Sequence, residues 1–554
     1  MNPRAVRPVV TIVVRTFVLV VVLTVMAALG ACTPSAGDLT APTARPGDTP
    51  TSGGQAGPPQ SPPPRPRGPS GCAVTGGPGG GGDAGSKVSY EQPLSAEQPL
   101  SGEQPLAADR APQPAGRAAP WKDRPTVSLC FDVRSDPRVV RGSEQVTFTP
   151  DRRTCEIVFR AWPNKPETAR AGNQLEVTSA AVDGRREIPK VEAAGAPPGS
   201  PGTLVRLPVS RCVAAGRTVQ VDLTFTLTVG ENTPERVGYS PRDGTVWLGT
   251  AYPLLAWQRG KGWVTDPAVD LFGETVTSEE FRLRRLDVVA PAGDQVLGTG
   301  QAVGSMPSTK VRGSVVHRFR AESVRDVSLT VGRLRVESRD VDGVRVHVGV
   351  PDGSVASAGE WADATAAAIR ALSSHLGPFP YRDLWVTVAA SVGTGIEFPG
   401  SIQFGDVSPT RYPELVPHEV AHMWFYGLVG NDQARDPWLD EALAEYAETL
   451  VDGTAARSMR FQAPSRVRDR VGESMSWYAA LHDPDLYAAG VYRQGGAMLH
   501  RARQAAGPAT FDRLLRGYLN ANAHRIATPR DFARAFASRP KVIAILREYG
   551  AIPR

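Results

Sequence analysis

Hydrophobic positions along the chain fall into four regimes, and each predicts a different kind of element. The first is an unbroken apolar run from Thr16 to Ala28, preceded by Arg4, Arg7 and Arg15. The second, from Thr33 to about Pro120, is Pro, Gly, Ser, Thr and Ala with few large apolar side chains, and cannot bury a core. The third, from about 121 to 333, consists of short β-type runs. Thr126-Val127-Ser128-Leu129, Gln145-Val146-Thr147-Phe148, Glu156-Ile157-Val158-Phe159, the run from Thr218 to Phe225 and the run from Phe281 to Leu286 alternate or are apolar, between Gly- and Pro-rich turns. In the fourth, from 334 to 554, the period changes: a strand over 344–350, a helix from Ala358 to Leu376, a strand over 384–390, and mainly helix after Tyr446. Amphipathic stretches recur there around Gly495 to Ala505 and Thr528 to Ala537. The expected fold is multidomain: an all-β, sandwich-type domain over 121–333, then an α+β domain over 334–554 whose last part is helical.

The first two regimes read as an address and a tether. Leu29-Gly30-Ala31-Cys32 after a basic start and a short apolar run is the pattern of a bacterial lipoprotein signal. It predicts cleavage before Cys32 and lipid on its sulfur, with an uncleaved membrane anchor as the alternative, and either puts the rest of the chain outside the cytoplasm. The unit Glu91-Gln92-Pro93-Leu94-Ser95-Ala96 repeats from Glu97 and again from Glu103, too short for a solenoid. As a flexible coil, residues 33–120 would reach roughly 50 Å. With Cys32 lipidated, Cys72, Cys130, Cys155 and Cys212 remain, an even number in an oxidising compartment. Their three possible pairings stay open; Cys155 with Cys212, both at strand edges, is favoured. The net charge of +6 is dispersed among both signs, with no basic and aromatic interleaving of the kind that binds nucleic acid. A monomer is expected.

The chemistry concentrates in Pro417-His418-Glu419-Val420-Ala421-His422 and in Trp438-Leu439-Asp440-Glu441. Residues four apart share a helix face, so His418 and His422 can aim ring nitrogens at one point. Zinc takes two such imidazoles, a third ligand and an open position. Glu419 points beside the metal, where a carboxylate serves as a base. Eighteen residues after His422 comes Glu441, behind Asp436-Pro437, which reads as an N-cap and first helical position. Gly427 and Gly430 are expected to end the first helix and let the chain return. His347 and His375 read as structural.

This combination resembles the zinc aminopeptidases of the alanyl aminopeptidase and leukotriene hydrolase type, which are gluzincin metallopeptidases. They share His-Glu-x-x-His, 18 residues and a Glu, commonly within Trp-Leu-Asn-Glu-Gly, of which Trp438 to Ala442 is a close variant. The resemblance implies one zinc ion held by His418, His422 and Glu441, with Glu419 as general base, on a thermolysin-like catalytic domain. It also implies that the β-rich domain is a saddle, with Gly249 to Leu255, Trp263 and Gly273-Glu274 on its substrate-facing side. Gly393-Thr394-Gly395-Ile396-Glu397 resembles the family's Gly-x-Met-Glu-Asn loop, which makes Glu397 the anchor for a substrate's α-amino group, although Phe398-Pro399 replaces Asn. Val491-Tyr492-Arg493-Gln494-Gly495 resembles Tyr-x-Lys-Gly, which makes Tyr492 the oxyanion donor, with Gln494 in place of Lys and Tyr487 as its competitor. Glu445 and Glu448, on the helix face of Glu441, are candidates to hold a zinc histidine from behind. The large helical domain that longer relatives place over the cleft is absent or tiny here, so a more open site is expected. The implied activity is removal of N-terminal residues from peptides; a thermolysin-like endopeptidase and a binding protein on a peptidase scaffold are the alternatives.

Overall fold

The computed structural model describes residues 116–134, 136–272 and 279–553. The leader, Cys32, almost all of the tether, Cys72 and Gly273-Glu274 lie outside the described residues.

Alternation builds the β-rich domain. In Thr126–Asp132 every second residue, Val127, Leu129 and Phe131, is buried, as a half-buried strand requires. This strand runs near the middle of an eight-stranded sheet, antiparallel to Val139–Phe148 and parallel to Phe281–Pro291. Val139–Phe148 and Val219–Thr228 pair over ten residues without a break, so that Val146 faces Val221. Two four-stranded sheets share the same apolar core, contributing Ile157, Leu207, Val246 and Leu329 among others. Cys155 and Cys212 form a disulfide between Thr154–Arg160 and Leu204–Val213, at the point where the register of that pair shifts. Cys130 is disulfide-bonded as well.

The catalytic region has its own core around a five-stranded mixed sheet. Val344–Pro351, Asp383–Ala389 and Ser401–Gly405 are parallel, flanked by antiparallel edges at Leu334–Val341 and Gly395–Phe398. Helix Ala358–Leu376 makes the crossover that a parallel pair demands. Ser357 and Glu360 close a capping box at its start, and Gly377, at φ 96°, ends it. The helices after Tyr446 pack Tyr446, Leu499, Phe511 and Phe532 into the same core.

Two features join the regions. Ser328–Gly332 of the β-rich domain lies against the catalytic sheet, with the Ser328 hydroxyl 3.0 Å from that of Ser401 and Thr330 donating to the Thr387 hydroxyl at 3.0 Å. Residues 117–124 form a strap across both. The Ala118 N–H donates to the Asn520 carbonyl, Arg525 donates to the Ala119 carbonyl, and the guanidinium groups of Arg259 and Arg525 both lie on the Trp121 ring.

Candidate active site

Seven residues, Leu415–Ala421, make the helix that carries His418, and His422 caps its end. The two imidazoles stand 5.0 Å apart, centre to centre. The helix stops where expected, but not by glycine conformation. Tyr426 takes the left-handed turn, at φ 90°, and bonds from Gly427, Leu428 and Val429 reach back five residues to the carbonyls of His422, Met423 and Trp424. Gly427 and Gly430 are needed for space instead. A Cβ on Gly427 would lie 2.8 Å from the Met423 carbonyl oxygen, and one on Gly430 2.4 Å from Arg325 Nη1.

The return segment also differs from the expectation. Asp436 and Pro437 open a single 3-10 turn, Pro437–Leu439, and the Asp436 side chain caps nothing. The helix Glu441–Val451 begins at Glu441 itself, with Asp440 at its cap position. Asp440 makes no cap bond either, because its carboxylate is turned to His422 Nδ1 at 2.7 Å and to Gln433 Nε2 at 2.6 Å.

The outcome is a converging set. Glu441 Oε2 lies 3.5 Å from Nε2 of both His418 and His422, and the three side chains form one compact group of metal-ligand type. Ligands about 2.0–2.1 Å from a tetrahedral zinc stand about 3.3–3.5 Å from each other, so the spacing fits the metal. The tautomers fit too. His418 Nδ1 is 3.0 Å from Glu448 Oε2 and His422 Nδ1 meets Asp440, which leaves both Nε2 atoms facing the centre. Burial disfavours charge here, yet the carboxylates around the two imidazoles pull both well above the usual histidine range. Burial likewise opposes ionisation of Glu441, but the imidazoles hold it below the usual carboxylate range. Such a cluster is completed by a cation. Of the two carboxylates expected behind the ligands, Glu448 is the one that reaches a ring. Glu445 is packed against Gly496, where a Cβ would come within 2.7 Å of its Cγ, and burial followed by the charge of Glu448 pushes it up to about 7. Asp440 was missed as a histidine partner, although it stands beside the ligand in the sequence.

Glu419 and Glu397 face the centre from the other side. Each is buried, and Glu419 Oε2 and Glu397 Oε1 have no hydrogen-bond partner among the described residues. With His422 they form a second close group. Burial is the main cause that pushes Glu397 up to about 8, with Asp440, Glu441 and Glu419 adding to it against the pull of His422. Glu397 lies on Gly395–Phe398, paired antiparallel with Ser401–Gly405. Gly395 on the same strand lets Glu419 lie flat against the backbone, since a Cβ there would be 2.5 Å from the Glu419 carboxyl carbon.

Tyr492 sits in a π-helical turn, Ala488–Arg493, that feeds the helix Gln494–Ala506; such turns favour functional sites. Its ring is parallel to that of His418, 6.0 Å away. Burial, then Glu441, pushes its ionisation far up, so the phenol remains a donor. Tyr487 is fully buried behind it, edge-on at 5.6 Å and against Phe272 and Tyr478. Gln494, where the resemblance has Lys, ties this turn to the loop before it through Val467, Gly490 and Asp469. Trp263 is not at the site. It packs on Trp257 and Phe148 and donates to Thr154 Oγ1 at 2.8 Å, because its indole completes the β-rich core. Gly249, in contrast, touches the Phe398 ring beside Glu397.

Residues 406–549, which carry both histidines, Glu441 and Tyr492, match the family model for the peptidase family M1 domain. That match, with the converging His418, His422 and Glu441, supports a zinc metallopeptidase. Among solved structures, the M1 zinc metallopeptidase from Deinococcus radiodurans is similar at 20% identity and a TM-score of 0.56, covering 77% of this chain and 93% of that one. A glutamate-to-alanine mutant from the same organism, bound to a Tyr-Ser-Ala substrate, is similar at 19% identity and a TM-score of 0.55, covering 77% and 94%. The chain, a β-rich domain followed by a mixed-sheet and helical domain, shares its fold with them over that length.

Proposed function

We propose that the peptidase is an aminopeptidase that removes N-terminal residues from peptides outside the cytoplasm, held to a membrane by lipid on Cys32. One observation carries the reading of the site. A buried carboxylate oxygen of Glu397, without a hydrogen-bond partner among the described residues, faces the same space as Glu419 and His422. An unpaired buried acceptor is costly unless a ligand completes it. The α-ammonium of a peptide does so with a charge-assisted bond, and fixes the first peptide bond at the metal. Location rests on the leader pattern and on the cysteines, of which Cys155 and Cys212 are paired.

In this reading His418, His422 and Glu441 hold zinc, which supplies Lewis-acid polarisation of the scissile carbonyl and of water. Glu448 and Asp440 fix the two imidazole rings. Glu419 accepts a proton from the attacking water and returns it to the leaving nitrogen. Its burial raises it above the ordinary glutamate range, which makes it a stronger proton acceptor. Tyr492 donates its hydroxyl to the oxygen on which charge develops.

The test uses the full chain and a panel of aminoacyl fluorogenic amides, free and N-acetylated, with and without a zinc chelator. Chelator-sensitive release that acetylation abolishes is the expected result. Equal release from acetylated substrates would instead indicate an endopeptidase.

A further inference from the structure

Asp326 is a fully buried carboxylate at the seam between the two regions, two residues before Ser328–Gly332. Its Oδ2 accepts from the Thr250 hydroxyl at 2.6 Å and the Tyr426 hydroxyl at 3.4 Å. Its Oδ1 accepts from the Tyr252 hydroxyl at 3.2 Å and the Val327 N–H at 2.7 Å. Thr250 and Tyr252 belong to the β-rich domain; Tyr426 follows the metal-binding helix. Thr250, at φ 50°, and Tyr426, at φ 90°, are both in the left-handed region, which disfavours β-branched and aromatic residues. Such conformations persist where the surroundings over-determine them. Here both residues meet on one carboxylate.

Two routes lead from Asp326 to the strand that carries Glu397. Tyr426 is one: after burial, Asp326 and then Glu397 push its ionisation up, so its hydroxyl lies within the field of both. The other runs through Thr250, which accepts from Arg236 Nη1 at 3.3 Å, while the Arg236 guanidinium lies over the Phe398 ring at 5.5 Å. Gly249 closes on the same ring; a Cβ there would lie 2.2 Å from Phe398 Cζ. Ser328 meets Ser401, the register partner of Phe398. We propose that Asp326, from the β-rich domain, is a positioning residue for the amine-binding carboxylate Glu397, so that the domain without metal ligands sets the fit of the substrate's N-terminus. This rests on the aminopeptidase reading above.

Asp326→Asn keeps the shape and removes the charge. For an aminoacyl amide its KM is expected to rise about tenfold, the scale at which a network residue remote from the ligand acts, with kcat within about threefold. One zinc per chain is expected to remain by elemental analysis. Thr250→Ala should move KM in the same direction, and Thr250→Ser, which restores the hydroxyl, should return it to wild type. Unchanged KM in Asp326→Asn overturns the proposal. Should that variant not fold, equal KM values for Thr250→Ala and Thr250→Ser overturn it. Wild-type enzyme that cleaves N-acetylated and free amides alike overturns the aminopeptidase reading together with the proposal, and is distinguished by needing no variant.

Discussion

The two faces of the cleft are built on opposite rules. On the metal side, every imidazole nitrogen has an assignment: Glu448 and Asp440 take the Nδ1 atoms and Glu441 stands 3.5 Å from both Nε2 atoms. On the strand side, Glu397 and, reaching over from the metal helix, Glu419 each keep a buried oxygen with no hydrogen-bond partner among the described residues. The first face is complete apart from one resident cation. The second is complete only when something polar arrives. A saturated face holds its geometry between turnovers, while an unsaturated one draws its remaining hydrogen bonds from substrate and water, where they act on binding and rate.

That contrast can be broken or sharpened by substitution. Glu419→Gln is the largest expected effect: a loss of at least about three orders of magnitude in turnover, with zinc retained by elemental analysis. Near-normal turnover would remove Glu419 from the chemistry. Next is Tyr492→Phe, expected to lower kcat about a hundredfold as an oxyanion donor should, while Tyr487→Phe, behind it, changes kcat little; a reversal of the two would exchange their roles. Glu397→Gln tests the unsaturated face, with kcat/KM for free-amine substrates falling about thirtyfold or more, the value of a charge-assisted bond of about 2 kcal/mol. A uniform loss for free and acetylated substrates would contradict an amine anchor. Asp440→Asn tests the saturated face by weakening zinc affinity about 10–100-fold, read by competition with a chelator. The smallest effect on turnover, none, is expected from His500→Gln. His500 is buried near the C-terminal end of the Glu441 helix, its Nε2 2.8 Å from the Thr449 hydroxyl, and burial lowers it to about 4. A histidine lowered in the folded state is protonated first in the unfolded chain, so wild-type stability should fall as pH drops from about 6.5 to about 4. Denaturant melts of the variant should show a shallower fall over that window.

What was legible in the sequence was what short-range geometry determines. His418 and His422 converge because a helix puts i and i+4 on one face, and Glu441 opens the next helix within a short return. Helix Ala358–Leu376 was readable to the residue because its capping box and terminal glycine are local signals. Less legible was whatever depends on distant packing. Asp440 reads as a variant of Asn in a motif, and only the fold shows that its carboxylate has turned from the helix to His422. Tyr426 carries no sign of its left-handed backbone, since that conformation is imposed by the seam around Asp326. Trp263 went to the core because an indole near a cleft and an indole under a sheet look alike along the chain.

The strap at 117–124 has a mechanical consequence. The chain enters the folded body at Ala118, Ala119 and Trp121, where Asn520 and Arg525 of the helical end and Arg259 of the β-rich domain hold it together. Both halves therefore hold the segment that leads into the first strand, Thr126–Asp132, which is enclosed on both edges by Phe281–Pro291 and Val139–Phe148 and is itself disulfide-bonded at Cys130. The clasp thus ties the entry of that sheet to the helical end and to the β-rich domain at once.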